Sequence, residues 1–182
     1  MPERYTTLVT NQQINQLIDE LARRIIQDYS DESPLFIALL RGAGPFASRL
    51  MFALTNIKQD YHPELDYMMI STYGDDHQAK QPIIVTDVAP HTNIANRPVI
   101  ILDDVIDQGI TSDFVKQIMR DRGASDVKLA VFATKAVPER QSEADYSCFD
   151  AGDSWLVGFG LDDAKLTREG YRWLDELWEI KR

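Results

Sequence analysis

Hydrophobic positions along this chain alternate between two rhythms. From Asn11 to Tyr29 the residues Ile14, Leu17, Ile18, Leu21, Ala22, Ile25 and Ile26 recur at i, i+3, i+4 and i+7. That is the stripe of an amphipathic helix, with Asp19, Glu20, Arg23 and Arg24 facing out. From Leu35 to Leu40 (LFIALL) the run is continuous, as in a strand covered on both faces. Arg41, Gly42, Ala43 and Gly44 turn the chain, and Pro45 opens a second helix carrying Phe46, Leu50, Met51 and Leu54. Further strands are expected at 65–72, 83–86, 99–102, 127–134 and 155–159, with an edge strand around Tyr146, Cys148 and Phe149. A third helix is expected from Thr111 to Arg122, with Phe114, Val115, Ile118 and Met119 inward and Gly123 closing it. The stretch from Asp75 to Gln81 is polar and without period, and reads as a loop. Near the C-terminus, Trp173, Leu174, Leu177 and Trp178 predict a helix or final strand that covers apolar surface or an oligomer contact. Strand-like runs alternating with helical ones predict an α/β fold with a mainly parallel central sheet flanked by helices.

Composition narrows the functional classes. The chain has 182 residues, 44% hydrophobic and 26% charged, as in an ordinary globular domain with one substantial core. No apolar run reaches the roughly 18 residues of a membrane span, and the N-terminus lacks the apolar centre of a signal peptide. Cys148 is the only cysteine, so no internal disulfide forms, which fits a reducing compartment. A net charge of −10 disfavours nucleic acid and anionic membranes as partners. An anionic small molecule remains open, because backbone amides, a metal and a few basic side chains can make one site locally positive.

The segment Pro98 to Phe114 (PVIILDDVIDQGITSDF) concentrates the chemistry. A buried strand, Val99 to Leu102, delivers Asp103 and Asp104 at its C-terminal edge. Val105, Ile106 and Asp107 follow, then the tight turn Gln108-Gly109-Ile110-Thr111, with Thr111 or Ser112 placed to cap a helix. Ligands of open α/β sheets bind beyond the carboxyl ends of the strands. Backbone N–H groups entering a helix, with its dipole, make an anion site. Neighbouring carboxylates can hold sugar hydroxyls directly or through Mg²⁺. The arrangement suits a phosphorylated sugar.

This segment resembles the phosphoribosyl-pyrophosphate (PRPP) signature of type I phosphoribosyltransferases, and within that class the chain most resembles the hypoxanthine phosphoribosyltransferases. The string VGFGLDD at 157–163 is similar to a second motif of that family. Gln108 stands where the family usually has Thr, Ile110 where Lys is common, and Asp163 where Tyr is usual. The resemblance implies a single phosphoribosyltransferase domain over 1–182, with a small hood built from the N- and C-terminal segments. It implies transfer of 5-phosphoribosyl from PRPP to N9 of hypoxanthine or guanine, giving IMP or GMP and pyrophosphate, in purine salvage. Asp107 would be the general base. Asp103, Asp104, Gln108, Gly109, Ile110 and Thr111 would hold the ribose phosphate. Arg41, Gly42 and Arg168 would meet pyrophosphate, with a non-proline cis peptide at Leu40–Arg41. Val105, Lys135, Trp155, Leu156 and Asp162 would surround the purine, with Lys135 reading the 6-oxo group. Thr72, Tyr73 and Gly74 would begin a lid. Asp103, Asp104 and Asp162 would serve a Mg²⁺ cofactor. The partners implied are PRPP and a 6-oxopurine, in a cytoplasmic homodimer or homotetramer. Two alternatives stay open: a xanthine-guanine phosphoribosyltransferase, whose glycine turn also carries Arg, and a non-catalytic PRPP or nucleotide sensor.

Overall fold

The computed structural model describes residues 4–73 and 79–180, with 73, 79 and 80 described by backbone only. The central sheet has six strands: β2 (Leu35–Leu40), β3 (Glu64–Tyr73), β4 (Ala79–Thr86), β5 (Pro98–Ile106), β6 (Asp126–Thr134) and β7 (Tyr146–Asp150). Their order is β4-β3-β2-β5-β6-β7, with β4 antiparallel to β3 and the other pairs parallel. Helices α1 (Asn11–Asp28) and α2 (Gly44–Ile57) cover one face, and α3 (Ile110–Asp121) covers the other.

The continuous apolar runs have a direct cause. Phe36, Ala38, Ile100, Leu102, Ala130 and Phe132 point into the core beneath α1 and α2. Leu35, Ile37, Leu39, Val99, Ile101, Leu129 and Val131 point into the core with Val115 and Met119 of α3. Each strand thus buries both of its faces, at about 1.5–3 kcal/mol per large side chain removed from water. The predicted stripe of α1 is the buried one, and Thr10 with Gln13 forms a capping box at its start.

Several boundaries differ from expectation. β5 runs on through Asp103, Asp104 and Val105 to Ile106, because β6 continues alongside and pairs Asp103 with Val131 and Val105 with Ala133. The polar stretch expected as a loop holds strand from Ala79 onward, since β4 pairs back on β3 as a hairpin arm. The helix after the signature is capped by Gly109 in the left-handed region (φ 80), not by the Thr111 or Ser112 hydroxyl. Of the expected strand 155–159 only Leu156–Val157 (β8) is regular, because Gly158, Phe159 and Gly160 all adopt positive φ.

A second, antiparallel sheet joins the ends of the chain. It has the order β1-β9-β8, where β1 is Tyr5–Val9 and β9 is Leu177–Ile180. The tail expected as a helix or a strand is therefore a strand. Tyr5, Tyr171 and Trp178 cluster at centroid separations of 5.1–5.9 Å. Beneath them Asp163 is fully buried. It accepts the Tyr5 hydroxyl at 2.5 Å and an Arg4 N–H. Burial alone would raise this carboxyl, but the Tyr5 and Arg4 donors hold it below its usual value. A depressed folded pKa contributes stability above the unfolded value of about 3.9 and loses it as pH falls through the folded value. Asp163→Asn is therefore expected to cost about 1–3 kcal/mol at neutral pH and to flatten the acid limb of stability against pH, as read by thermal melts from pH 7 to pH 3. An unchanged acid limb would count against this bond. Among the described residues no helix is long and apolar enough to cross a membrane.

Candidate active site

The strand order reverses between β2 and β5, since β2 leads outward to β3 and β5 leads the other way to β6. In α/β sheets that switch point opens a crevice at the carboxyl edge. Two βα turns meet here. The Leu40–Arg41 peptide is cis. The next residue, Gly42, lies so close to β5 that a Cβ on it would stand 1.9 Å from the Asp104 Oδ2. Gly160, from the turn after β8, closes the same spot from the other side: its Cβ would stand 2.0 Å from the Gly42 carbonyl oxygen.

Next to this contact is a cavity of about 290 Å³ lined by Thr72, Asp103, Val105, Ile106, Asp107, Gln108, Gly109, Ile110, Thr111 and Ser112. Every residue expected to hold the ribose phosphate lies on its wall except Asp104, which faces Gly42. Thr72 of the expected lid is also there; Tyr73 is described by backbone only, and Gly74 lies outside the described residues. The turn 107–111 is the start of α3, so its amides and the helix dipole point at the cavity's anion end.

The carboxylates set the electrostatics. Burial pushes Asp103 well above the usual carboxyl range, and the neighbouring Asp104 charge adds to it. Burial also raises Asp104, opposed by bonds from Asp103 and the Val105 N–H and by the charge of Arg172. A pair of this kind accepts a cation readily. The three carboxylates expected to hold metal do not, however, close into one ligand set. Asp162 Oδ1 pairs with Arg172 Nη2 at 3.0 Å. Among the described residues no group of three His, Cys, Asp or Glu could hold a metal ion. Asp103 and Asp104 fit a Mg²⁺ that takes one or two carboxylates and completes its shell with water and substrate phosphates.

Arg41 lies at the switch-point turn and pairs with Glu169. Arg168 is exposed, away from the cavity wall. Arg172 occupies the place beside Asp104, fixed by Asp162, by Glu169 at 2.5 Å and by the Gly160 carbonyl. The sequence carried no motif signal for Arg172.

On the far side of the cavity, Lys135 follows β6 and donates its N–H to the Ile106 carbonyl at 3.1 Å. Its Nζ lies 5.1 Å from the Trp155 ring centroid, and Lys165 Nζ lies 5.0 Å from the same ring. Trp155 is 47% exposed. Leu156 differs: its side chain is buried in the core beneath α1 and α2, which leaves only its main chain to a ligand.

Comparison with known proteins agrees with this geometry. A family model described as phosphoribosyl transferase domain matches residues 4–164. The hypoxanthine-guanine phosphoribosyltransferase of Streptococcus thermophilus (strain CNRZ 1066) is 37% identical over 147 residues, covering 79% of this chain and 77% of that protein. The protein of the same name from Streptococcus mutans serotype c is 34% identical over 178 residues, covering 96% and 92%. A hypoxanthine phosphoribosyltransferase from Staphylococcus aureus superposes with a TM-score of 0.84 at 25% identity, covering 97% and 91%. The Trypanosoma cruzi hypoxanthine phosphoribosyltransferase complexed with the product IMP gives 0.82 at 25%, covering 100% and 94%. A signature found at the end of β5, a cavity built on it and relatives of this identity lead to one assignment: the chain belongs to the phosphoribosyltransferase family, among the hypoxanthine-guanine phosphoribosyltransferases.

Proposed function

We propose that this chain transfers the 5-phosphoribosyl group of PRPP to N9 of hypoxanthine or guanine, releasing pyrophosphate, as a step of purine salvage. The observation that carries the reading is the cavity at the end of β5, where the α3 entry shares a wall with Asp103, a carboxyl raised by burial and by the neighbouring Asp104. The amides of Gln108 to Thr111 and the Thr111 hydroxyl bind the 5-phosphate. Backbone amides suffice there, which is why Gln108 and Ile110 can replace the commoner Thr and Lys. Bond breaking at the anomeric carbon builds positive charge on the sugar, which Asp103 and Asp104 stabilise. The same two carboxylates would hold Mg²⁺, which would supply neutralisation of the diphosphate charge. Arg41 and the Gly42 turn receive the pyrophosphate. Asp107 takes the N7 proton as N9 attacks. Val105 and Trp155 enclose the ring, and Lys135 donates to the 6-oxo group, which adenine lacks.

PRPP and a 6-oxopurine are the only partners the reaction needs, and the phosphorylated substrate puts it in the cytoplasm. The apolar side chains of Ile83 and Val85, 58% and 54% exposed on the edge strand β4, go with a homodimer or homotetramer.

Mg²⁺-dependent pyrophosphate release with hypoxanthine, guanine, xanthine and adenine in turn tests the reading. Release with hypoxanthine or guanine is expected; release with adenine alone, or with none, contradicts it. Lys135→Gln should lower kcat/KM for hypoxanthine about 10–100-fold, the worth of one charged hydrogen bond, and narrow the gap to adenine. An unchanged ratio of the two bases would remove Lys135 from that role.

A further inference from the structure

Resting on the reading above, we infer that Arg140 is a positioning residue that fixes the distance between the two groups which read the purine edge, Asp107 and Lys135. These two residues stand one past the ends of different strands, β5 and β6, and among the described residues no hydrogen bond or ion pair joins them directly. One guanidinium does. Arg140 Nε donates to the Asp107 carbonyl at 3.0 Å, and its Nη2 donates to the Lys135 carbonyl. Nη1 bonds Glu143 at 3.0 Å. The Arg140 side chain is only 10% exposed.

The chain is bent to bring it there. Glu139, just before it, adopts φ 56, a region that non-glycine residues rarely enter, so the 138–142 segment turns back on the active-site turn. Gln141 then donates its N–H to the Gln108 carbonyl at 2.9 Å. Ser142 comes so near that a Cβ on Gly109 would stand 2.8 Å from its N and O atoms. Strand pairing aligns β5 and β6 as far as Ile106 and Thr134, and the Lys135 N–H still reaches Ile106. Beyond that point nothing in the sheet holds the two ends together. A planar fork whose donors point in fixed, well-separated directions holds the two carbonyls at a set spacing, whereas a lysine ammonium gathers its acceptors around one point. N7 and the 6-oxo group are neighbours on one purine edge. A shift between Asp107 and Lys135 therefore spoils base binding and proton transfer together, and leaves PRPP anchored on the α3 amides.

Steady-state kinetics of the wild type, Arg140→Ala, Arg140→Lys and Glu143→Gln, with each substrate varied against saturating partner, test this. Arg140→Ala should lower kcat/KM for hypoxanthine by about tenfold or more, with the KM for PRPP changed less than about twofold. Arg140→Lys should recover part of the loss, and Glu143→Gln should stay near wild type, because Glu143 is solvent-facing. Should Arg140→Ala fail to fold, Arg140→Lys carries the test, with a selective rise in purine KM expected. Wild-type purine kinetics in folded Arg140→Ala or Arg140→Lys, or an equal loss for both substrates, overturns the inference alone. A wild-type chain that forms no nucleotide from any purine overturns the underlying reading and the inference with it.

Discussion

Asp107→Asn is expected to lower turnover about 10²–10⁴-fold, the usual contribution of a general base, while leaving the KM for PRPP nearly unchanged. The reason is positional. Asp107 stands one residue past β5 and lines the cavity. Among the described residues no hydrogen bond engages its carboxylate, and only its main-chain carbonyl is tied, to Arg140. Asn has the same shape and leaves that tie intact, so the fold and the phosphate amides should be unaffected. What is lost is the capacity to accept the N7 proton as N9 bonds to the sugar. Rapid-mix assays of IMP formation, with PRPP binding followed separately by titration, read the two effects apart. Turnover within a few-fold of wild type would reject Asp107 as the base.

The second large effect is expected from Gly160→Ala. Gly160 has φ 106, a conformation that L side chains avoid, and an added Cβ would stand 2.0 Å from the Gly42 carbonyl. The obstacle is backbone, so relief requires moving the switch-point turn. That turn has no slack, since Gly42 is already wedged against the Asp104 carboxylate. The substitution should cost about 2–4 kcal/mol of stability, from strain and overpacking together. In protein that stays folded, the KM for PRPP should rise more than about tenfold, because on the proposed reading the displaced turn receives the pyrophosphate and Asp104 holds the ribose and the metal. Gly152→Ala is the control. Gly152 also has positive φ (57) but nothing within 4 Å of its added Cβ, so only about 1–2 kcal/mol of backbone strain is expected and no change in KM. Equal effects of the two substitutions would mean that the approach of Gly160 to Gly42 has no functional weight.

These two residues also mark what could be read from the chain. Asp107 sits in a contiguous signature whose resemblance to a known family implies its role, and the structure keeps Asp103 and residues 105–112 on one cavity wall. The buried strands were legible for a similar reason: Leu35 to Leu40 and Val99 to Leu102 are apolar at every position because both faces are covered. Strand ends were less legible, because pairing rather than composition sets them. Asp103 to Val105 are polar or short enough to suggest a turn, yet the alignment of β6 keeps them in the sheet. The polar residues from Ala79 onward are strand because β3 lies beside them.

Residues that act through distant partners gave no sequence signal. Arg172 is far along the chain from Asp104 and, like Arg168, follows the last matched motif, so its place beside Asp104 shows only in the fold. Arg140 lies in an irregular, polar stretch whose role depends on a positive φ at Glu139 and on carbonyls of two other elements. Gly160 was visible as a glycine of VGFGLDD, but its need for glycine comes from Gly42, which only folding brings near. The buried Asp163 is likewise explained by Tyr5 and Arg4 at the opposite end of the chain.

The most direct measurement is a crystal structure of the chain grown with IMP. The account requires the 5-phosphate within hydrogen-bond distance of the amides of residues 108–111, with Asp107 facing N7 and Lys135 facing the 6-oxo oxygen. A nucleotide bound elsewhere, or bound with its phosphate turned away from the start of α3, would contradict it.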